Sequence, residues 1–261
     1  MLSGSSPDGD AGFRSLQELG VRTIISVDGA RPDIERAHQF GMRYVHLPIG
    51  YDGVPRQQML RIARAVRDLP GKVYVHCHHG KHRGPAAAIS AQRCLEPRCS
   101  ADEAMEFLQQ AGTEPHYRGL FASVEQAGVV DSQELEAVPA EFPEVAEVGG
   151  LVQAMVAIDQ RWDNLSAIRA AKWSVPPDHA DLDPPHEALQ LREQFREAAR
   201  LREVSGKPEL FRKLLAEAES ACGDLESSLR EPKDSAKAET AYARCRDSCN
   251  RCHEQFRDRN R

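Results

Sequence analysis

Apolar and polar positions change their rhythm near the middle of the chain. In the first half, short β-branched and aromatic runs stand between glycine and proline stops. Arg22-Thr23-Ile24-Ile25-Ser26-Val27, Met42-Arg43-Tyr44-Val45-His46-Leu47 and Gly71-Lys72-Val73-Tyr74-Val75-His76 each read as a short buried strand. The first two follow helix-like segments that end in glycine, at Gly20 and Gly41. Beyond the third, Gly84-Pro85-Ala86-Ala87-Ala88-Ile89 carries proline where a helix start tolerates it. Ser100-Ala101-Asp102-Glu103 is a capping box that opens a helix to about Gly112, and Tyr117 to Ala127 reads as another. Strands alternating with helices predict an α/β domain with a parallel sheet, whose ligands bind off the carboxyl ends of the strands.

In the second half the period becomes helical. Four amphipathic segments, at 149–171, 184–204, 208–230 and 234–258, carry apolar residues three or four apart and predict an all-α four-helix bundle. Between the halves, residues 131–147 hold six acidic residues, Pro139 and Pro143, and no Lys or Arg, and read as an acidic linker. The expected organisation is therefore an α/β domain over 1–130, the linker over 131–147 and the bundle over 148–261. Charge follows the same division. Residues 1–130 have 15 basic against 14 acidic residues and 131–261 have 19 against 26, so the net −6 divides into +1 and −7. With no basic stripe, nucleic acid is not an expected partner, and no apolar run approaches the roughly 20 residues of a membrane span.

The most informative loop is His76-Cys77-His78-His79-Gly80-Lys81-His82-Arg83, between the third strand and the helix that follows. A cysteine and an arginine five residues apart can close round one tetrahedral oxyanion. Backbone amides at a helix N-terminus favour an anion there, whether phosphate or thiolate, and Arg83 adds a planar fork for two phosphate oxygens. On these residues the first 130 positions resemble the cysteine-dependent tyrosine and dual-specificity phosphatases. That resemblance implies a phosphoenzyme mechanism with Cys77 as nucleophile, with His78, His79, Gly80, Lys81, His82 and Arg83 holding phosphate and His76 in support, and with no cofactor for this chemistry. It also implies an aspartic acid that protonates the leaving group. Asp52, in the glycine-flanked loop Gly50-Tyr51-Asp52-Gly53 after the second strand, is the expected acid; Asp28, in the turn pair Asp28-Gly29, is its rival. Gly84 departs from the family, which has Ser or Thr there to help the thiolate leave. Cys94 and Cys99 read as packing thiols.

The second constellation is Cys249-Asn250-Arg251-Cys252-His253, the Cys-x-x-Cys-His pattern of haem attachment. Disulfide or other metal chemistry are the alternatives for these thiols. In its helical context the motif resembles cytochrome c′. The resemblance implies covalent haem c on Cys249 and Cys252, with His253 as iron ligand; Met155 is a candidate for the opposite face, although a methionine at helical spacing is more often core. Cys222 and Cys245, counted from a turn near Glu231 to Lys233, come to a similar height on antiparallel helices, where they form either a disulfide in an oxidising compartment or two buried thiols.

Haem attachment calls for a periplasmic or otherwise extracytoplasmic location, yet the first residues offer no export signal; the phosphatase resemblance makes Leu2-Ser3-Gly4 the tail of a first strand, and the expectation is that the start is internal, with the rest of that strand and an export signal upstream. A cytoplasmic location follows if haem is not attached. The leading expectation is a phosphatase acting on a phosphorylated protein or a small phosphate ester, inositol phosphates included, fused to a cytochrome with a redox partner. The alternative is a haem electron carrier or sensor whose first domain only binds an oxyanion. A sulfur-transfer or arsenate-reducing enzyme would need a resolving thiol at the loop, from Cys94 or Cys99.

Overall fold

The computed structural model describes residues 1–230 and 234–258. They form two compact units, Met1–Glu147 and Val148–Arg257. In the first, β1 (Leu2–Gly4), α1 (Gly9–Glu18), β2 (Val21–Ser26), α2 (Ile34–Gln39), β3 (Arg43–His46), α3 (Arg56–Asp68), β4 (Lys72–His76), α4 (Arg83–Leu95), α5 (Ala101–Gln110), α6 (Arg118–Gln126) and α7 (Ser132–Ala137) follow in order. The four strands are parallel in the order β1-β4-β2-β3. This puts β4, which leads into the cysteine loop, between two neighbours. Side chains alternate across the sheet, as strand geometry requires. Ile24 and Tyr44 join Phe13 and Leu16 beneath α1, whereas Ile25, Val45, Val73 and Val75 join the larger cluster beneath α3, α4, α5 and α6.

The helix signals act where the sequence carries them. Gly20 and Gly41 have left-handed backbones (φ +78° and +71°) that end the turns after α1 and α2. Ser100 and Glu103 form the reciprocal capping box of α5.

Residues 131–147 are not a linker. Leu135 is buried, and Val138 and Phe142 pack against the larger cluster. Arg56 pairs with Glu134, Arg64 donates to the carbonyls of Glu136 (2.9 Å) and Val138, and Arg61 donates to that of Glu141 (2.9 Å). Nothing local to the segment signals its partners, because the arginines that meet it lie on α3, some 80 positions earlier. The segment is a strap along the first unit.

The second unit is helical: α8 (Gly150–Ala170), α9 (Pro184–Arg200), α10 (Arg202–Ser205), α11 (Glu209–Leu229) and α12 (Ser235–Phe256). Asp183 and Asp234 cap α9 and α12, accepting from the amides of His186 and Lys237. Trp162 on α8 stacks on Tyr242 of α12 (4.2 Å between centroids), and Arg169 pairs with Glu239, so the two helices run antiparallel. Cys222 and Cys245 are fully buried free thiols with Sγ atoms 3.3 Å apart. The turn expected near Glu231 to Lys233 lies outside the described residues. No helix among the described residues is long and apolar enough to cross a membrane.

The strap gives a stability test. Leu135→Ala should destabilise the first unit by about 2–4 kcal/mol, the usual cost of emptying a core leucine site. Both tryptophans, Trp162 and Trp173, are in the second unit, so urea unfolding followed by circular dichroism should shift while the tryptophan fluorescence transition stays. A true linker would leave both unchanged.

Candidate active site

Cys77 follows the last residue of β4, and α4 begins six residues later at Arg83, so the chain must reverse within Cys77–His82. Gly80 makes the reversal possible. Its φ is +73°, and a Cβ there would lie 2.3 Å from the backbone of Gly4 and Ser5. The loop is fixed from three sides. The amide of Ser6 donates to the His78 carbonyl (2.9 Å), Thr113 Oγ1 donates to the Lys81 carbonyl (2.6 Å), and the amide of His78 donates to Asp28 Oδ2 (2.9 Å).

At the floor of the loop Cys77 is 4% exposed. Arg83 stands at the helix start with its side chain 12% exposed; its Nη2 donates to Asp28 Oδ2 (2.7 Å) and its Cζ lies 4.4 Å from the Tyr51 ring centroid. Buried Arg83 Nε has no hydrogen-bond partner among the described residues. A buried donor of this kind costs free energy unless an acceptor meets it, and an oxyanion seated in the loop would supply one. Gly84 is crowded as well: a Cβ there would lie 2.9 Å from the Cys77 amide nitrogen. The departure from Ser or Thr thus coincides with a first helical turn pressed against the Cys77 backbone.

The two candidate acids have different surroundings. Asp28 is buried and accepts from Arg83, from His78 and, at Oδ1, from the Ala30 amide (2.9 Å). Burial alone would raise its carboxyl, but Arg83 and the two amides outweigh burial and hold it below the usual carboxylate value. At neutral pH it has no proton to give. Asp52 is exposed on the loop after β3, folded back over Gly50, and follows Tyr51, whose ring covers Arg83. Val54 anchors that loop by donating to Ser123 Oγ on α6 (2.9 Å).

Histidines surround the loop in unequal states. His76 is buried against Tyr44 and Tyr74, with Nδ1 3.2 Å from the Cys77 carbonyl, and burial lowers its pKa to about 4. His82, beside Tyr117 (4.6 Å between centroids), is likewise lowered to about 4, mainly by burial. His79 and Lys81 are exposed. Tyr51, Tyr117, Thr113 and Ser123 were not singled out from the sequence. Only Tyr51 carried a signal, as an aromatic beside the expected acid.

In the second unit, Cys249 and Cys252 are three residues apart on one face of α12, and both pack half-buried against the apolar cluster, as do Leu151, Ala154 and Met155 of α8. The end that carries the motif therefore has apolar side chains only partly covered, whereas Leu165, Ile168, Cys222 and Leu225 are fully buried. Cys245 and then burial push the Cys249 thiol well up; burial and then Cys249 push Cys252 up to about 11. His253 is half-buried beside them. Cys249, Cys252 and His253 are the residues of this unit that could hold a metal or a prosthetic group.

Among solved structures the chain is similar to TpbA of P. aeruginosa, at 25% identity and TM-score 0.42, over 51% of this chain and 81% of that one. The same figures hold for TpbA in complex with pTyr. A DUF442 protein of Shewanella putrefaciens CN-32, named as a candidate phosphatase, is 22% identical with TM-score 0.39, over 48% of this chain and 87% of that one. No family model and no curated protein matches the chain.

The buried histidines set a pH dependence. His46, His76 and His82 have folded pKa values below the ordinary 6.5, so between that value and about 4 the unfolded chain binds protons that the folded chain does not. Stability should be level above about pH 7 and fall as the pH drops from 6.5 towards 4; the contribution of Asp28, whose folded value is depressed, is lost only at lower pH still. Urea midpoints measured from pH 8 to 4 should show this fall, less steeply in His76→Asn. A rise in stability over that interval would mean that these rings are charged in the fold.

Proposed function

We propose that the first unit is a cysteine-dependent phosphatase acting on phosphate monoesters. The observation that carries this reading is the Cys77–His82 loop, with a buried sulfur at its floor and an Arg83 Nε that lacks an acceptor. In the proposed reaction the Cys77 thiolate attacks phosphorus, a P–S bond forms and the ester P–O bond breaks, while Asp52 gives its proton to the leaving oxygen. Water, deprotonated by Asp52, then attacks phosphorus and the sulfur leaves as thiolate. Loop amides and Arg83 offset the charge on the equatorial oxygens. The half-buried rings of Tyr51 and His82 support an aryl phosphate, phosphotyrosine included, over an inositol phosphate. The close approach of Gly84 to the Cys77 amide favours one second reading, a domain that binds the oxyanion and turns over slowly or not at all.

For the second unit the proposal is a c-type cytochrome domain built as a four-helix bundle. Cys249 and Cys252 would hold haem through thioether bonds and His253 would ligate its iron; the haem would supply one-electron redox chemistry or gas binding. This chain's own contribution is the apolar wall from α8, Met155 included, and the fixed imidazole beside the thiols. The reading carries with it a redox partner and a location outside the cytoplasmic membrane.

Three variants and one spectrum test the two assignments. Wild type should hydrolyse aryl phosphates, Cys77→Ser should be inactive, and Asp52→Asn should slow poor leaving groups about 10²-fold or more while sparing good ones. Wild type inactive from pH 5 to 8 would leave the binding domain. After expression with a haem-maturation system, a haem absorbance band should survive denaturation and vanish in Cys249→Ala/Cys252→Ala; its absence in wild type would remove the cytochrome assignment.

A further inference from the structure

One carboxylate oxygen joins the two halves of the anion loop. Asp28 Oδ2 accepts at once from Arg83 Nη2 (2.7 Å) and from the amide of His78 (2.9 Å), the first residue after the nucleophile. Asp28 is 5% exposed and Arg83 little more, so the contact is shielded from water and stronger than a surface pair would be. Its carboxylate is itself aimed by an Asx turn, Oδ1 accepting from the Ala30 amide.

The backbone of Asp28 is held as well. Its carbonyl accepts from His46 Nε2 (2.8 Å), and His46, 1% exposed at the end of β3, accepts through Nδ1 from the amide of Ala146 (3.0 Å). The two bonds require the neutral tautomer with hydrogen on Nε2. The amide of His46 also donates to the Pro143 carbonyl (2.7 Å). One imidazole thus ties the end of the strap to the residue that holds the loop.

We propose that Asp28 is a positioning residue which holds Arg83 and the His78 amide in the geometry that receives the transferring phosphoryl group, and that His46 braces it from the strap. The contacts of its carboxylate are with Arg83 and the amides of His78 and Ala30. Its work is to fix one nitrogen of the guanidinium, which also meets Tyr51, in the place that receives the anion, at no reorganisation cost when substrate arrives. The opposing role on the same contacts would put the carboxylate in the place of a phosphate oxygen, competing with it. The two roles predict opposite effects of removing its charge.

The inference rests on the phosphatase reading for its kinetic arm and not for its binding arm. Asp28→Asn keeps the shape and one acceptor oxygen. It should lower kcat about 10- to 100-fold by the same factor for good and poor aryl leaving groups, unlike Asp52→Asn, and should weaken vanadate binding to the full-length protein at least 5-fold. His46→Asn should give the same leaving-group-independent pattern at smaller size, and Asp28→Glu should recover less than wild type but more than Asp28→Ala. A loss that grows with leaving-group pKa would make Asp28 the acid and overturn the proposal. So would unchanged or tighter vanadate binding in Asp28→Asn, the mark of a competing carboxylate. Should wild type hydrolyse no ester, the phosphatase reading fails, and vanadate protection of Cys77 from iodoacetamide in wild type and Asp28→Asn still decides the positioning role. If Asp28→Asn does not fold, His46→Asn decides: wild-type kcat and vanadate affinity there would refute the brace and the role with it.

Discussion

Everything at the loop depends on the chain turning back within six residues, from the end of a central parallel strand to the first turn of the helix that covers it. Gly80, with its left-handed φ, lets the backbone do this, and the His78 amide that the turn presents calls for negative charge. The protein answers that requirement from outside the loop. A carboxylate at the end of the neighbouring strand takes one amide and one guanidinium nitrogen. Sheet order is what permits this, since β2 lies directly beside β4 and its last residues are level with the loop.

Much of this was legible in the sequence, for reasons that differ by element. The strands over 21–26, 43–46 and 72–76 were visible because both faces of a parallel sheet are covered and the runs are correspondingly apolar. The capping box at Ser100 and the glycines at 20 and 41 were visible because cap geometry depends on one or two neighbouring residues. The helical segments of the second unit were visible through their period, apart from the break between α9 and α10. Residues 131–147 were misread because composition registers charges and not their partners; the arginines that bind the strap sit on α3, a helix the pattern did not single out.

Asp28 shows the same limit at the site. As a neighbour of Gly29 it looked like an ordinary turn residue, and it is one, through its bond to Ala30. Its second task depends on Arg83, 55 positions away, and no local pattern contains that fact. Asp52 presents the converse. Its loop was legible from glycines and proline, while Tyr51 beside it, with its ring over Arg83, could be assigned only from the fold.

The glycines at 80 and 84 have a wider implication. Each is held by the crowding of backbone against backbone: position 80 against the tail of β1, position 84 against the amide of Cys77. A lineage that had lost all chemistry but still needed this unit to assemble would keep both residues. Their persistence among descendants would therefore record architecture alone, and an inactive relative could carry the loop nearly unaltered.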